Sequence, residues 1–318
     1  MVVLSIITRN GARKGLVFRR MLEATLQVPY SSMVLVDDSD DDSTSRVVKE
    51  FADAHGKELL ATRSRLYGYV KATRATGRQT AIDIFLENFS DNVLIQLDDD
   101  VILRDGWWNE ANGALNDPSI GMFYGATYDV NDLNEAGNVQ MDGARLKALL
   151  MSFLERGRTN DIALRRSALA GIRGSFGIIP PELHLYEDAW LMRAMICLGW
   201  GIIIGFTGAI QHDPVKLSQA EAGVVNADVD LHYTRVASKY GIIRSVDLLD
   251  DILKLPATLA ALPILTYRRT RKLGPVKGLK VALAETHVKL LYRYVKVKGA
   301  LTGSCNKLKY KHQLTKQQ

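Results

Sequence analysis

The sequence predicts an α/β protein built on a doubly wound, mostly parallel sheet, and three observations carry that prediction. Continuous apolar runs bounded by turn residues, Met33-Val34-Leu35-Val36 and Val93-Leu94-Ile95-Gln96-Leu97, read as strands buried on both faces. Segments with apolar residues at three-to-four spacing fill the gaps between strands, as crossover helices do. Each of the two runs ends in a cluster of carboxylates, and open α/β sheets bind ligands beyond the carboxyl ends of their strands.

The elements are expected in order: strand 2–7, helix 16–26, strand 33–36, helix 43–54 with Gly56 where a helix stop belongs, a helix around 77–87, strand 93–97, helix 105–115 and strand 120–124. The segment from Tyr128 to Arg165 is polar and then helical near Ala144–Glu155, which reads as a flap. A helix at Ala189–Leu198 and a strand at Ile202–Phe206 follow.

The bulk composition allows one large domain or two modest ones. At 318 residues, 47% apolar and 24% charged, the chain has ample core and the balance of an ordinary globular protein. Two cysteines, Cys197 and Cys305, are too few for a disulfide framework, and a reducing compartment is the simplest reading. Met1-Val2-Val3-Leu4-Ser5-Ile6-Ile7 lacks the basic start of a cleavable signal and looks like a first strand. The net charge of +6 hides an asymmetry: from Ile252 onward there are 15 Lys or Arg and one acid, Glu285, a balance of +14 that leaves −8 on the rest. The division expected is a catalytic region at 1–250, with halves at about 1–117 and 118–250, followed by a helical region at 251–318.

The tail begins with Leu255 to Tyr267, almost wholly apolar but interrupted by Pro256 and Pro263, and shorter than the roughly 20 residues a spanning helix needs. Arg268, Arg269, Arg271 and Lys272 come next. A helix from about Val276 to Leu301 then sets Leu279, Leu283, Leu290, Leu291, Val295 and Val297 among Lys280, Lys289, Arg293, Lys296 and Lys298. Apolar and basic residues paired in this way suit the interface of an anionic membrane. An ordinary packed helix with a solvated basic face is the plainer alternative. Nucleic acid is not the expected partner, because phosphate-backbone binding does not call for the apolar stretch.

The acidic clusters carry the chemistry. Asp98-Asp99-Asp100 closes one strand and Asp37-Asp38-Ser39-Asp40-Asp41-Asp42 closes another. Adjacent carboxylates repel, so a cation or donors must neutralise them, and a hard divalent ion shared with substrate phosphates does so. A cap or solvated turn is the alternative for either run alone. An EF-hand is excluded, since Ser43 stands where Gly is needed and Lys49 where the bidentate Glu is needed. Glu187-Asp188 opens a helical run; such acids either cap a helix or serve as a base. His212 is a candidate metal ligand and Arg78 a candidate phosphate holder, each with a structural alternative. Trp107-Trp108 is read first as packing, with sugar stacking by Trp108 as the minor option.

Taken in order, these residues resemble family 2 glycosyltransferases of the GT-A fold. The matching motifs are Thr8-Arg9-Asn10, Val36-Asp37-Asp38-Ser39, Arg78-Gln79-Thr80-Ala81, Asp98-Asp99-Asp100 and Glu187-Asp188 before Leu191-Met192-Arg193, within residues 1–215. The resemblance implies a nucleotide-sugar site with Thr8, Arg9, Asn10, Asp38, Arg78, Asp98 and Asp99, and a Mn²⁺ or Mg²⁺ ion on Asp100 and His212. It also implies Asp188 as the base of an inverting transfer, and Gly174, Ser175, Glu187 and Trp108 on the acceptor side. Gln79 departs from the commoner Asn, and the Gln-x-x-Arg-Trp signature of processive synthases is absent, which favours a single transfer.

The function expected is transfer of a hexose, mannose from GDP-mannose favoured, to a polyprenyl- or dolichyl-linked glycan at the cytoplasmic membrane face, as the resemblance to dolichol-pathway mannosyltransferases implies. A polyprenyl-phosphate monosaccharide synthase is the near alternative. A nucleotidyltransferase lacks support, because no Gly-rich, Lys-containing phosphate loop follows the first strand. A non-enzymatic membrane-surface protein is the alternative of another class.

Overall fold

In the computed structural model, which describes residues 2–130, 160–183, 186–212, 231–236, 238–242 and 248–302, the first strand is β1 (Val2–Thr8), buried along nearly its whole length. Its parallel neighbours are β2 (Ser32–Asp37) and β4 (Val93–Asp98), and β3 (Glu58–Thr62) extends the sheet beyond β2. The chain therefore builds outward from β1 through β2 and β3, then returns to the other side of β1 for β4. That reversal makes the ends of β1 and β4 a topological switch point. Register brings the acidic ends level, with Thr8 opposite Asp37 and Ile7 opposite Asp98.

Beyond β4 the sheet turns antiparallel. β7 (Asp161–Arg165) runs against both β4 and β6 (Ile120–Val130). β8 (Gly201–His212) lies parallel to β6, and the short β5 (Val101–Leu103) runs antiparallel on β8. The order β3-β2-β1-β4-β7-β6-β8-β5 is thus mixed, with the parallel half where the sequence predicted it.

Six helices accompany this sheet among the described residues: α1 (Leu16–Ala24), α2 (Ser43–Ala54), α3 (Arg74–Asn88), α4 (Trp107–Leu115), α5 (Arg166–Phe176) and α6 (Glu187–Cys197). α1 buries Val17, Phe18, Met21 and Leu22, the expected helical stripe, in a core with Leu4, Ile6, Leu35, Val48 and Phe123. Burying a side chain such as Phe18 or Met21 stabilises the fold by about 1.5–3 kcal/mol. α3 is of another kind. Every residue from Ala75 to Phe85 is buried, polar ones included. It starts at Arg74 instead of 77, after a reciprocal cap in which Thr73 and Thr76 each accept the other's backbone N–H.

Several expectations change. The flap predicted over 128–165 is strand at both described ends, since β6 runs to Val130 and β7 begins at Asp161; residues 131–159 lie outside the description. Cys197 is disulfide-bonded, and Cys305 lies outside the described residues.

The chain separates into two compact units, one comprising the described residues up to His212 and the other those from 231 onward. The second unit holds α7 (Leu248–Ala260), α8 (Leu262–Leu273) and α9 (Pro275–Thr302). Pro263 sits in the first turn of α8, where its missing N–H costs nothing. At Gly278 a Cβ would lie 2.4 Å from Thr270 backbone atoms, so glycine lets α8 and α9 approach closely. Val281, Ala282, Val288 and Val295 of α9 are buried. Lys296, expected on an outward basic face, is buried instead and bonds to Asp251 of α7 at 2.9 Å. Arg269 of α8 pairs with Glu285 of α9 at 2.6 Å. Among the described residues, no helix is long and apolar enough to cross a membrane.

Candidate active site

The site assembles where β1, β2 and β4 end. After β1, Asn10 takes a left-handed conformation (φ 62°) and starts a single 3-10 turn over Gly11–Lys14. The turn is fastened to the loop after β2. Asn10 N–H donates to Ser39 Oγ (2.7 Å), the Asn10 side chain exchanges bonds with Asp40, and Ala12 N–H donates to Thr44 Oγ1 (3.1 Å). Arg9 is exposed and lies 3.5 Å from Asp40. Asp38 N–H donates to Thr8 O, and the Asp38 carboxylate accepts from Ser64 N–H (3.0 Å) and Ser64 Oγ (2.6 Å), which fixes its orientation.

Asp99 and Asp100 converge on one positive charge. Thr8 Oγ1 donates to Asp99 Oδ2 (2.6 Å), and Lys14 Nζ bridges Asp99 Oδ1 (2.5 Å) and Asp100 Oδ2 (2.9 Å). Burial pulls the Lys14 ammonium down, but the two carboxylates outweigh it and hold its pKa above the ordinary lysine value. Lys14 is the site residue that sequence reasoning missed. Its only sequence signal is a basic pair, Arg13-Lys14, in the turn that faces two acidic clusters.

Asp98 is tied to the base helix through Arg78. The Arg78 guanidinium, fully buried in α3, donates from one terminal nitrogen to Asp98 Oδ1 (2.7 Å) and from Nε to Glu187 Oε1 (3.2 Å). Arg78 was expected to meet a phosphate. The structure turns it inward onto two carboxylates, because a helix buried all round presents its charged side chains to other buried groups. The departure at Gln79 also gains a role. Its amide donates to Asp83 (2.8 Å) and accepts from Ile179 N–H (2.9 Å), pinning α3 to the loop before Glu187.

Glu187 and Asp188 open α6, where Asp188 Oδ1 accepts from Ala189 N–H at 2.8 Å. Burial, and next the neighbouring Glu187, raise the Asp188 carboxyl well above the usual carboxylate range. Burial likewise raises Glu187 and Asp98, against the pull of Arg78. Glu187 Oε2 is buried without a hydrogen-bond partner among the described residues. Thr8 therefore connects Asp38 to Asp99, and Arg78 connects Asp98 to Glu187-Asp188, so both acidic clusters and the base candidate form one constellation.

Other expected residues are not brought there. Gly174 and Ser175 are exposed in the last turn of α5, not in a turn before the base; the turn starts at Gly177 (φ 83°). Trp108 packs against the hydrophobic core, and Trp107 is fully buried with Nε1 donating to Asp161 (2.8 Å), so the pair serves packing. His212 ends β8 opposite Val130, and its side chain lies outside the description.

A metal fits this arrangement on the structure's own terms. The Lys14 ammonium stands where two carboxylate oxygens converge, which is a cation position with hard oxygen ligands. Among the described residues no group of three or more His, Cys, Asp or Glu forms a complete cage. Two carboxylates suit an ion that completes its shell with water and substrate phosphates.

The model of glycosyl transferase family 2 matches residues 6–173, more than half of the chain. The chain belongs to that family. It is thus a nucleotide-sugar glycosyltransferase of the GT-A fold, and its sheet and helices are that fold's. Among solved structures it is similar to glucosyl-3-phosphoglycerate synthase from Mycobacterium tuberculosis, a complex with Mn²⁺, UDP and glucosyl-3-phosphoglycerate. There the identity is 14%, with 75% of this chain and 79% of that one covered at a TM-score of 0.48. It is also similar to residues 1–349 of S. aureus TarS in complex with UDP-GlcNAc, at 13% identity, 93% and 90% coverage and a TM-score of 0.49. No curated protein matches the chain.

Proposed function

We propose that this family 2 enzyme is an inverting, metal-dependent hexosyltransferase that extends a lipid-linked glycan at the cytoplasmic membrane face, with mannose from GDP-mannose as the favoured donor. The observation that carries the reading is the constellation at the switch point: Asp99 and Asp100 converging on a cation position, with Arg78 joining Asp98 to Glu187, the neighbour of Asp188. Asp38 and Asp98 hold the nucleoside of the donor, with Thr8, Arg9 and Asn10 lining the same strand ends. Asp99 and Asp100 would hold Mn²⁺ or Mg²⁺, with His212 as the further ligand that the family resemblance implies. When bound, that ion supplies Lewis-acid stabilisation of the departing diphosphate.

Asp188 accepts the proton of the acceptor hydroxyl. The oxygen forms its bond to the anomeric carbon from the face opposite the diphosphate, and the bond from that carbon to the diphosphate oxygen breaks. A base whose pKa lies above the usual carboxylate range holds a proton more firmly and is better matched to a hydroxyl. A polyprenyl phosphate acceptor, already ionised, gives no use to such a base. This is why a sugar hydroxyl is the favoured acceptor.

Attachment to an anionic bilayer is supported by the second unit. Leu253, Leu259, Ile264 and Tyr267 of α7 and α8 are exposed, with Arg268, Arg271 and Lys272 exposed beside them.

The test is transfer from GDP-mannose, UDP-glucose and UDP-N-acetylhexosamines to polyprenyl-diphosphate-linked sugar and to polyprenyl phosphate, with Mn²⁺ or with chelator. The expected outcome is Mn²⁺-dependent extension of the lipid-linked sugar. Transfer to polyprenyl phosphate alone, retained in Asp188→Asn, would favour the synthase alternative.

A further inference from the structure

We infer that Lys14 is a built-in counter-ion that holds the metal position closed until a nucleoside diphosphate arrives, and so couples metal binding to donor binding. The inference rests on the metal-dependent reading above and goes beyond it.

Two carboxylates placed side by side and partly removed from water repel one another and draw a positive partner between them. Lys14 Nζ supplies it, at 2.5 Å from Asp99 and 2.9 Å from Asp100, with the three side chains 33%, 12% and 23% exposed. A divalent ion drawn to the same two oxygens meets an ammonium already there. Both cannot occupy one position, so in the absence of donor the metal must displace Lys14 and leave a cation without its partners. A diphosphate removes that cost, since its oxygens complete the metal's shell and accept the released ammonium.

The local fold allows the side chain to move and keeps the backbone still. The turn that bears Lys14 is anchored by Asn10 to Ser39 and Asp40 and by Ala12 to Thr44. Gly15, directly after it, has no atom within 4 Å of where a Cβ would stand among the described residues beyond its chain neighbours. Release of the carboxylates thus falls to the four-carbon stem of one lysine. The result is positive coupling between metal and nucleotide, reciprocal by linkage.

The test is Mn²⁺ affinity of the full chain, measured by calorimetry or by the paramagnetic resonance of free Mn²⁺, alone and with UDP or GDP. Wild type, Lys14→Met and Lys14→Arg are compared after their melting curves show that each is folded. With Mn²⁺ alone, Lys14→Met is expected to bind at least tenfold tighter than wild type, while Lys14→Arg, which keeps the charge, stays close to wild type. The gain in Mn²⁺ affinity on adding nucleotide is expected to shrink in Lys14→Met. Equal or weaker Mn²⁺ binding by Lys14→Met would overturn the inference. Should that variant not fold, wild type alone decides it: Mn²⁺ affinity that does not change with either nucleotide overturns it too. No Mn²⁺ binding by any form, with or without nucleotide, would instead overturn the metal-dependent reading itself and this inference with it.

Discussion

Arg78 shows how a single buried residue can organise a site by tying two of its elements together. It joins the end of β4 to the start of α6 by pairing with Asp98 and Glu187 in a fully buried position. Burial opposes its charge, but Asp98 and Glu187 outweigh that and hold its pKa above the ordinary arginine value. Arg78→Met should leave two buried carboxylates uncompensated and cost about 3–5 kcal/mol of stability, read as a lower denaturant midpoint. Arg78→Lys keeps a charge but loses the fork, and is expected to fall between the two. Asp188 makes a kinetic prediction. The base works only when deprotonated, so activity is lost as pH falls through its pKa. Because burial and Glu187 raise that value, the acidic limb of kcat/KM should lie above about 4, the value of an unperturbed aspartate. Asp188→Asn should lower kcat by roughly 10²- to 10⁴-fold with nucleotide binding kept. An acidic limb at or below the ordinary aspartate value would count against the assignment. Neither partner of Arg78 is legible from the chain, since the pairs span 20 and 109 residues and leave no periodic trace. Lys14 escapes for the same reason, its partners lying 85 and 86 residues away.

At the scale of elements, what was legible followed burial. Strands covered on both faces, such as β1, β2 and β4, declare themselves as apolar runs, and α1 and α2 declare themselves by a stripe. The strand β3 was missed because its pattern, Glu58-Leu59-Leu60-Ala61-Thr62, is half-exposed at the sheet edge, and β5 because three residues carry no period. β7 lay at the end of a segment whose polarity suggested a flap, and α5 follows directly after it. In the second unit the sequence located the apolar and basic residues but not their direction. Packing buries one side of α9 and leaves Leu259 of α7 and Ile264 of α8 exposed instead. Replacing both by Asp should abolish sedimentation with anionic liposomes and leave the melting temperature nearly unchanged, since neither side chain is in a core. Unchanged sedimentation would show that these helices do not face the lipid.

For the whole molecule, the proposed function assigns chemistry to an acidic body with a −8 balance and attachment to a tail of +14. A body of that sign repels a free diphosphate unless a cation intervenes, and on the proposed reading a basic tail at an anionic surface would raise the local concentration of a lipid-borne acceptor. The chemical role depends on the acidic strand ends working through a divalent ion. The most direct measurement is nucleoside diphosphate binding by calorimetry, with Mn²⁺ and with chelator, in wild type and Asp100→Ala. The account predicts tight binding by wild type only when Mn²⁺ is present, and loss of that dependence in Asp100→Ala. Full Mn²⁺-dependent affinity in Asp100→Ala would contradict it.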